Sequence, residues 1–372
     1  MPPVCDWWFL TKRKFTADIK MARILYGVFG EGMGHAIRSK IIIGHLIKKG
    51  HDVQIVASGK AFPFLSKCFR NTCEIYGQHF VYKNNSVMRL MTFFHNNYPL
   101  PKGFCINLRK IFNLIHRFKP QLIISDFEPF SVLFGFLFRI PRINIEFFNM
   151  SSITSRENLP KKYIIDYYLS RIVVRLYILK SNYHIVTSFS NIKKGKYKKN
   201  TYLFPPTLRD DIINSKVEEK NYILVYQTST SNKKLHSIMK KSPENFVVYG
   251  FGIDKRLENI TYKEFSGKIF VRDLANCKAV IANGSFNLIS ESIYLGKPIL
   301  SIPAQKQCEQ ILNAIDMQTL GYGEFHTSLN EDIIKKFISR LEAYKRNLRT
   351  YKRENNSKLF NKLDFLTKEI TK

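Results

Sequence analysis

A glycine-rich turn carrying a single histidine, Gly30-Glu31-Gly32-Met33-Gly34-His35, is the first place in this 372-residue chain where residue types and spacing point to chemistry. It joins the apolar run 23–29 to a helical pattern over 37–49. Gly30, Gly32 and Gly34 let the backbone close on a ligand, and the free amides of a helix start favour negative charge. A histidine in that first turn is placed to accept a proton from a substrate hydroxyl. Asp126 ends the apolar run 121–125 on the same sheet edge, where its carboxylate can hold one ring nitrogen of His35 and leave the other for substrate. Asp126-Phe127-Glu128 could instead pair carboxylates around a metal, but further ligands are not evident nearby, so no metal is expected. A dinucleotide is excluded by the second strand. A ribose-holding acid would end it, whereas the run 53–57 ends in Ser58-Gly59-Lys60 and Asp52 precedes it.

A second constellation lies near the other end of the chain. Asn283-Gly284-Ser285-Phe286-Asn287 joins a strand over 279–282 to a helix over 285–295. The amides of such a turn form a pocket for a diphosphate, and Ser285 and Asn287 add side-chain donors. Glu291, one turn further on, can accept from the two hydroxyls of a ribose. Thr228 and Ser229, after the strand 222–226, offer further phosphate donors. Glu309, Gln310 and Asn313 share one helical face, as a sugar-reading surface requires.

These groups need strand ends to hold them. Strand-turn-helix-strand order over 23–57 makes a βαβ unit of a parallel sheet, and the pattern restarts after residue 220. The expected class is α/β, with two Rossmann-like parallel-sheet domains facing across a cleft. The expected divisions are an N-terminal extension over 1–20, an acceptor domain over 21–200, a linker over 201–220, a donor domain over 221–330 and a basic helical tail over 331–372. The extension reads as a mis-assigned start before Met21, or as an interfacial anchor through Trp7, Trp8 and Phe9.

Composition narrows the partners. Hydrophobic residues make up 45% of the chain, enough for large cores, which excludes disorder for its bulk. Cys5, Cys68, Cys73, Cys105, Cys277 and Cys308 form no CxxC pair, which fits a reducing compartment. No apolar run is long enough to span a bilayer. The net charge of +30 is lopsided: residues 1–200 hold +22, and 161–200 alone hold +9 with six tyrosines interleaved. Such a field draws one face toward an anionic membrane or a nucleic acid.

With these residues in place, the chain resembles the GT-B glycosyltransferases, especially glycosyltransferase family 28, over most of residues 21–330. The stretch NGSFNLISESIYLGKPILSIPAQKQCEQILNAIDMQTLGYG (283–323) is similar to that group's donor-binding segment, and the glycine loop with His35 looks like its N-terminal motif. The resemblance implies that Ser285, Phe286 and the following amides meet a diphosphate, Glu291 the ribose, and Glu309 and Gln310 the transferred sugar. It also implies His35 as base and Asp126 as its partner. The expected activity is inverting, metal-independent transfer of a hexose or N-acetylhexosamine from a UDP-linked sugar to a lipid-linked or surface-glycan acceptor, with no cofactor. The expected place is the cytoplasmic face of an anionic membrane. A UDP-sugar epimerase is the alternative on the same scaffold. A nucleic-acid partner is not expected, because it would leave the glycine loop and the 283–313 segment unused.

Overall fold

The computed structural model describes residues 21–77, 82–83, 86–88, 100–147, 159–178, 180–190, 200–227 and 234–372. The extension 1–20, Thr228 and Ser229 lie outside the described residues. The first half runs β1 (Arg23–Val28), α1 (Gly34–Lys48), β2 (Asp52–Ala57), α2 (Ala61–Cys68) and β3 (Thr72–Glu74). A short hairpin, β4 (Tyr82–Lys83) and β5 (Ser86–Val87), leads to α3 (Leu100–Phe118), β6 (Leu122–Asp126), α4 (Pro129–Leu137) and β7 (Arg142–Phe147). Then come α5 (Ile164–Tyr177), β8 (Tyr183–Thr187) and β9 (Thr201–Phe204). The second half continues with α6 (Asp210–Ile213), β10 (Ile223–Tyr226), α7 (Lys234–Lys240), β11 (Phe246–Tyr249), β12 (Lys255–Leu257) and β13 (Ile260–Lys263). It goes on through α8 (Gly267–Asn276), β14 (Ala279–Ala282), α9 (Phe286–Tyr294), β15 (Ile299–Ser301), α10 (Cys308–Thr319) and β16 (Gly323–Phe325). Three helices close the chain: α11 (Glu331–Ser339), α12 (Leu341–Arg349) and α13 (Ser357–Ile370).

Two seven-stranded sheets result, ordered β3-β2-β1-β6-β7-β8-β9 and β12-β13-β11-β10-β14-β15-β16. All their pairings are parallel except β12 with β13. Parallel strands covered on both faces need continuous burial, and β6 and β7 are buried at every position. In each sheet the winding direction reverses beside the first strand, between β1 and β6 and between β10 and β14. Ligands of doubly wound folds sit outside the carboxyl ends at that reversal. Both clusters of chemistry-bearing residues fall there: His35 and Asp126 in one sheet, the 283–287 turn in the other.

The expected linker over 201–220 starts too early, because Thr201–Phe204 pairs with β8 and completes the first sheet. Lys198 and Lys199 beside it masked that strand as a charged segment. The helices over 331–372 pack on both cores. Ile334, Phe337 and Leu341 join the core of the second sheet, while Leu359, Leu363 and Leu366 of α13 cross back into the core of the first. There His45 stacks on Phe360 at 4.0 Å and pairs with Asp364 at 2.7 Å. Between the sheets, Phe147 and Phe189 of the first half pack with Phe286, Ile289 and Ile293 of α9.

Candidate active site

Helix α1 begins at Gly34, so His35, Arg38 and Ser39 follow one another up a single face. All three meet Asp126 at the end of β6. The His35 ring pairs through Nδ1 with Asp126 Oδ1 at 2.6 Å. Arg38 donates to both carboxylate oxygens, from Nε to Oδ2 at 2.9 Å and from Nη2 to Oδ1. Ser39 Oγ donates to Oδ2 at 2.9 Å. Asp126 and Arg38 are buried, and His35 is 9% exposed. Burial alone would raise the carboxyl's pKa, but the Arg38 guanidinium and then His35 overcome it and hold Asp126 well below its usual 3.8. An ionised carboxylate only accepts, so His35 Nδ1 must carry the proton it shares with Asp126. In the neutral ring Nε2 is then the basic nitrogen.

Aromatic rings frame the imidazole. Phe29, Phe127 and Phe147 lie 5.4–6.1 Å from it, centroid to centroid. Arg38 sits 3.8 Å from the Phe147 ring centroid, which fixes the guanidinium from its other side. Phe127 takes φ 59°, a left-handed conformation that costs a bulky residue roughly 1–2 kcal/mol, in the turn between Asp126 and Glu128. The carboxylate pair of Asp126-Phe127-Glu128 is not arranged for a metal. Asp126 is saturated as described, and Glu128 caps α4 by accepting from Phe130 and Ser131 amides. Among the described residues no group of three His, Cys, Asp or Glu converges as a cation cage.

The glycines serve close approach. A Cβ on Gly30 would stand 2.2 Å from the Ser58 carbonyl oxygen, and Gly32 adopts φ +78°. Gly34 opens α1, where its carbonyl accepts from Asn287 Nδ2 of α9 at 2.9 Å. The amino ends of α1 and α9 therefore face one another across the cleft, and neither has a side-chain cap. Two uncapped helix starts converging on one space suit an anion.

On the donor side the expected residues divide. Ser285 is the N-cap residue of α9 with its hydroxyl left uncommitted to capping. Phe286 is buried against Phe147, ring centroids 4.3 Å apart, so its backbone alone is available to a ligand. Gly284 is required by packing, since a Cβ there would fall 2.0 Å from the Gln310 carbonyl oxygen. Asn283 and Asn313 are buried, and Asn313 donates to the Gly284 carbonyl at 3.0 Å. Gln310 accepts from the Ala304 amide at 2.9 Å. Asn313 thus braces the 283–287 turn and also hydrogen-bonds Glu309, while the Gln310 side chain holds the loop at Ala304. Glu309 does face the cleft: burial raises its pKa, and His35 and Arg38 are near enough to oppose that rise. Glu291 is held by Arg209, whose Nε and Nη2 donate to its two oxygens at 2.8 and 2.6 Å.

Arg38 and Arg209 escaped the sequence reading. The His-x-x-Arg-Ser spacing after the glycines was a usable signal for Arg38, because it puts all three side chains on one helical face. Arg209 lies 82 residues before Glu291, and nothing local announces the pair.

A family model described as glycosyl transferase family 1 matches residues 22–342. A protein described as an uncharacterized glycosyltransferase, from Methanosarcina mazei, is 24% identical over 331 residues, covering 81% of this chain and 84% of its own. The fold is similar to the glycotransferase of kitacinnamycin, at TM-score 0.69 and 13% identity over 95% of this chain and all of that one. It is also similar to the spinosyn rhamnosyltransferase SpnG complexed with thymidine diphosphate, at TM-score 0.62 and 11% identity over 92% of this chain and all of that one. The resemblance to GT-B glycosyltransferases holds. With that match running across most of its length, the chain belongs to glycosyl transferase family 1 and is a glycosyltransferase of GT-B architecture.

Proposed function

We propose that this glycosyltransferase moves a hexose or N-acetylhexosamine from a UDP-linked donor to a hydroxyl of a lipid-linked or surface-glycan acceptor, inverting the anomeric carbon. One observation carries the reading: a His35–Asp126–Arg38 cluster beside two opposed, uncapped helix starts. His35 Nε2 takes the acceptor hydroxyl proton as the oxygen bonds to the anomeric carbon. The bond from that carbon to the diphosphate breaks in the same displacement, and the leaving charge falls on the amides near Ser285. Asp126 stabilises the imidazolium that forms. Glu291 and Glu309 serve the ribose and the transferred sugar, and neither metal nor cofactor takes part.

The SpnG structure holds thymidine diphosphate, which supports a nucleoside diphosphate as the kind of group bound here. The lipid-linked acceptor and a place at the cytoplasmic face of the membrane rest on the charge, +22 on residues 1–200. Among the described residues no helix is long and apolar enough to cross a membrane.

The test is a thermal-shift panel of nucleoside diphosphates and their sugars, followed by product analysis with membrane extracts as acceptor. A ligand at a hundred times its dissociation constant adds about 2.7 kcal/mol of stability. Uridine diphosphate should lead the panel, and the product should carry the inverted linkage. A retained linkage, or an epimerised sugar formed without acceptor, would refute the scheme.

A further inference from the structure

Helix α5 is amphipathic twice over. Tyr163, just before it, and Tyr167, Val174 and Tyr177 face inward. The opposite face is also apolar and lies in solvent: Ile165 is 64% exposed and Ile172 56%, and Tyr168, Leu169 and Val173 are also exposed. Phe136, Leu137 and Phe138 at the carboxyl end of α4 are exposed as well. Arg142 joins the two, lying 5.8 Å from the Phe136 ring centroid and donating to the Lys180 carbonyl after α5.

The exposed charges in the stretch of chain that carries this patch are of one sign. Among the described residues between 100 and 180, all four acids, Asp126, Glu128, Glu146 and Asp166, are buried. Nine basic residues in the same span are exposed, with Lys161, Lys162, Arg175 and Lys180 beside α5 itself. A branched aliphatic stripe flanked by Lys161, Lys162, Arg175 and Lys180 fits the headgroup layer of an anionic bilayer, where the side chains enter the acyl boundary and the cations meet acidic lipids. A second copy of the chain would bring like charges together. A nucleic acid would leave the aliphatic side chains without a stacking partner.

We infer that α5 and the end of α4 form the surface by which this enzyme docks on anionic lipid. The inference rests on the membrane-linked acceptor proposed above and assigns it a place. The inner face of α5 makes the connection to the cleft. Tyr167 packs with Cys308 and Leu312 of α10, the helix that carries Glu309. Tyr177 meets Phe127 and Phe29, two of the rings around His35. The proposed docking helix therefore packs directly on the rings around His35 and on the helix of Glu309.

The experiment is co-sedimentation of the full chain with vesicles of phosphatidylglycerol and phosphatidylcholine, against phosphatidylcholine alone. Wild type should partition to the anionic vesicles, and less so as salt rises. Leu169→Ser with Ile172→Ser should cut the partition about tenfold or more. Lys161→Gln with Lys162→Gln should cut it about fivefold per charge removed. The melting temperature should stay unchanged, because these side chains are exposed. Unaltered partition of the serine variant overturns the inference. Self-association without vesicles that the serine variant abolishes gives the face to a second copy, and loss of single-stranded RNA binding in the same variant gives it to nucleic acid; either outcome also overturns it. Vesicle binding as described, with no transfer to any lipid-linked acceptor, leaves the docking surface standing and removes the acceptor reading alone.

Discussion

Asp126 is buried, ionised and shared among three donors on α1, so a change there should register in both stability and turnover. Its folded pKa lies below its ordinary value, so the folded state binds fewer protons than the unfolded chain in acid. The stability it contributes is complete above about pH 4 and drains away as pH falls through the depressed folded value. Asp126→Asn should therefore cost about 3–5 kcal/mol at pH 7, because Arg38 is left buried without its partner. It should also flatten the acid limb of a urea-melt series between pH 7 and pH 3. An unchanged acid limb would mean that Asp126 is not the ionised hub described here. His35 and Asp126 were legible in the sequence because each stands at the carboxyl end of an apolar run, one of them after a glycine turn. Gln310 and Asn313 also hold backbone, at Ala304 and Gly284, which the sequence did not announce. Helical spacing shows which residues share a face, but not which backbone groups their amides meet.

Helices and strands carry the next layer. The central parallel strands could be read from sequence because burial on both faces leaves unbroken apolar runs, as in β6. Edge strand β9 could not, since its four residues are only partly buried and follow a run of lysines. The destination of α13 was likewise hidden: an apolar stripe says that a helix packs, not on which domain. Leu363, fully buried in the first-domain core, tests that return crossing. Leu363→Ala should destabilise by about 2–5 kcal/mol, read by denaturant melts. Burial would raise the Asp364 carboxyl's pKa, but His45 and Lys49 bring it below its usual value, so the part of this anchor that Asp364 supplies is lost in acid. Hydrogen exchange in α13 should rise as pH falls through that range, after correction for intrinsic rates. Protection independent of pH would remove the Asp364 contacts from the anchor.

The whole molecule depends on how its halves are joined. Asn356 accepts from the Leu208 amide at 3.0 Å and donates back to the Leu208 carbonyl at 2.7 Å, tying the two crossings together. The next residue, Arg209, forks onto Glu291 in α9, so this crossing between the halves and the expected ribose-binding residue share one ion pair. A double-mutant cycle of Arg209→Gln and Glu291→Gln should show coupling of about 0.5–3 kcal/mol in stability. If Glu291 also holds the ribose, Glu291→Gln should weaken nucleoside monophosphates and diphosphates by the same factor, about tenfold or more. A loss confined to diphosphates would move Glu291 from the ribose to the phosphates.

The central claim is that a neutral imidazole on α1 primes the acceptor while the other domain grips the activated sugar. Single-turnover transfer by His35→Ala, measured beside its donor affinity, tests it most directly. The account predicts a rate lower by roughly a hundred- to ten-thousand-fold with donor binding retained. Transfer at close to the wild-type rate would contradict it.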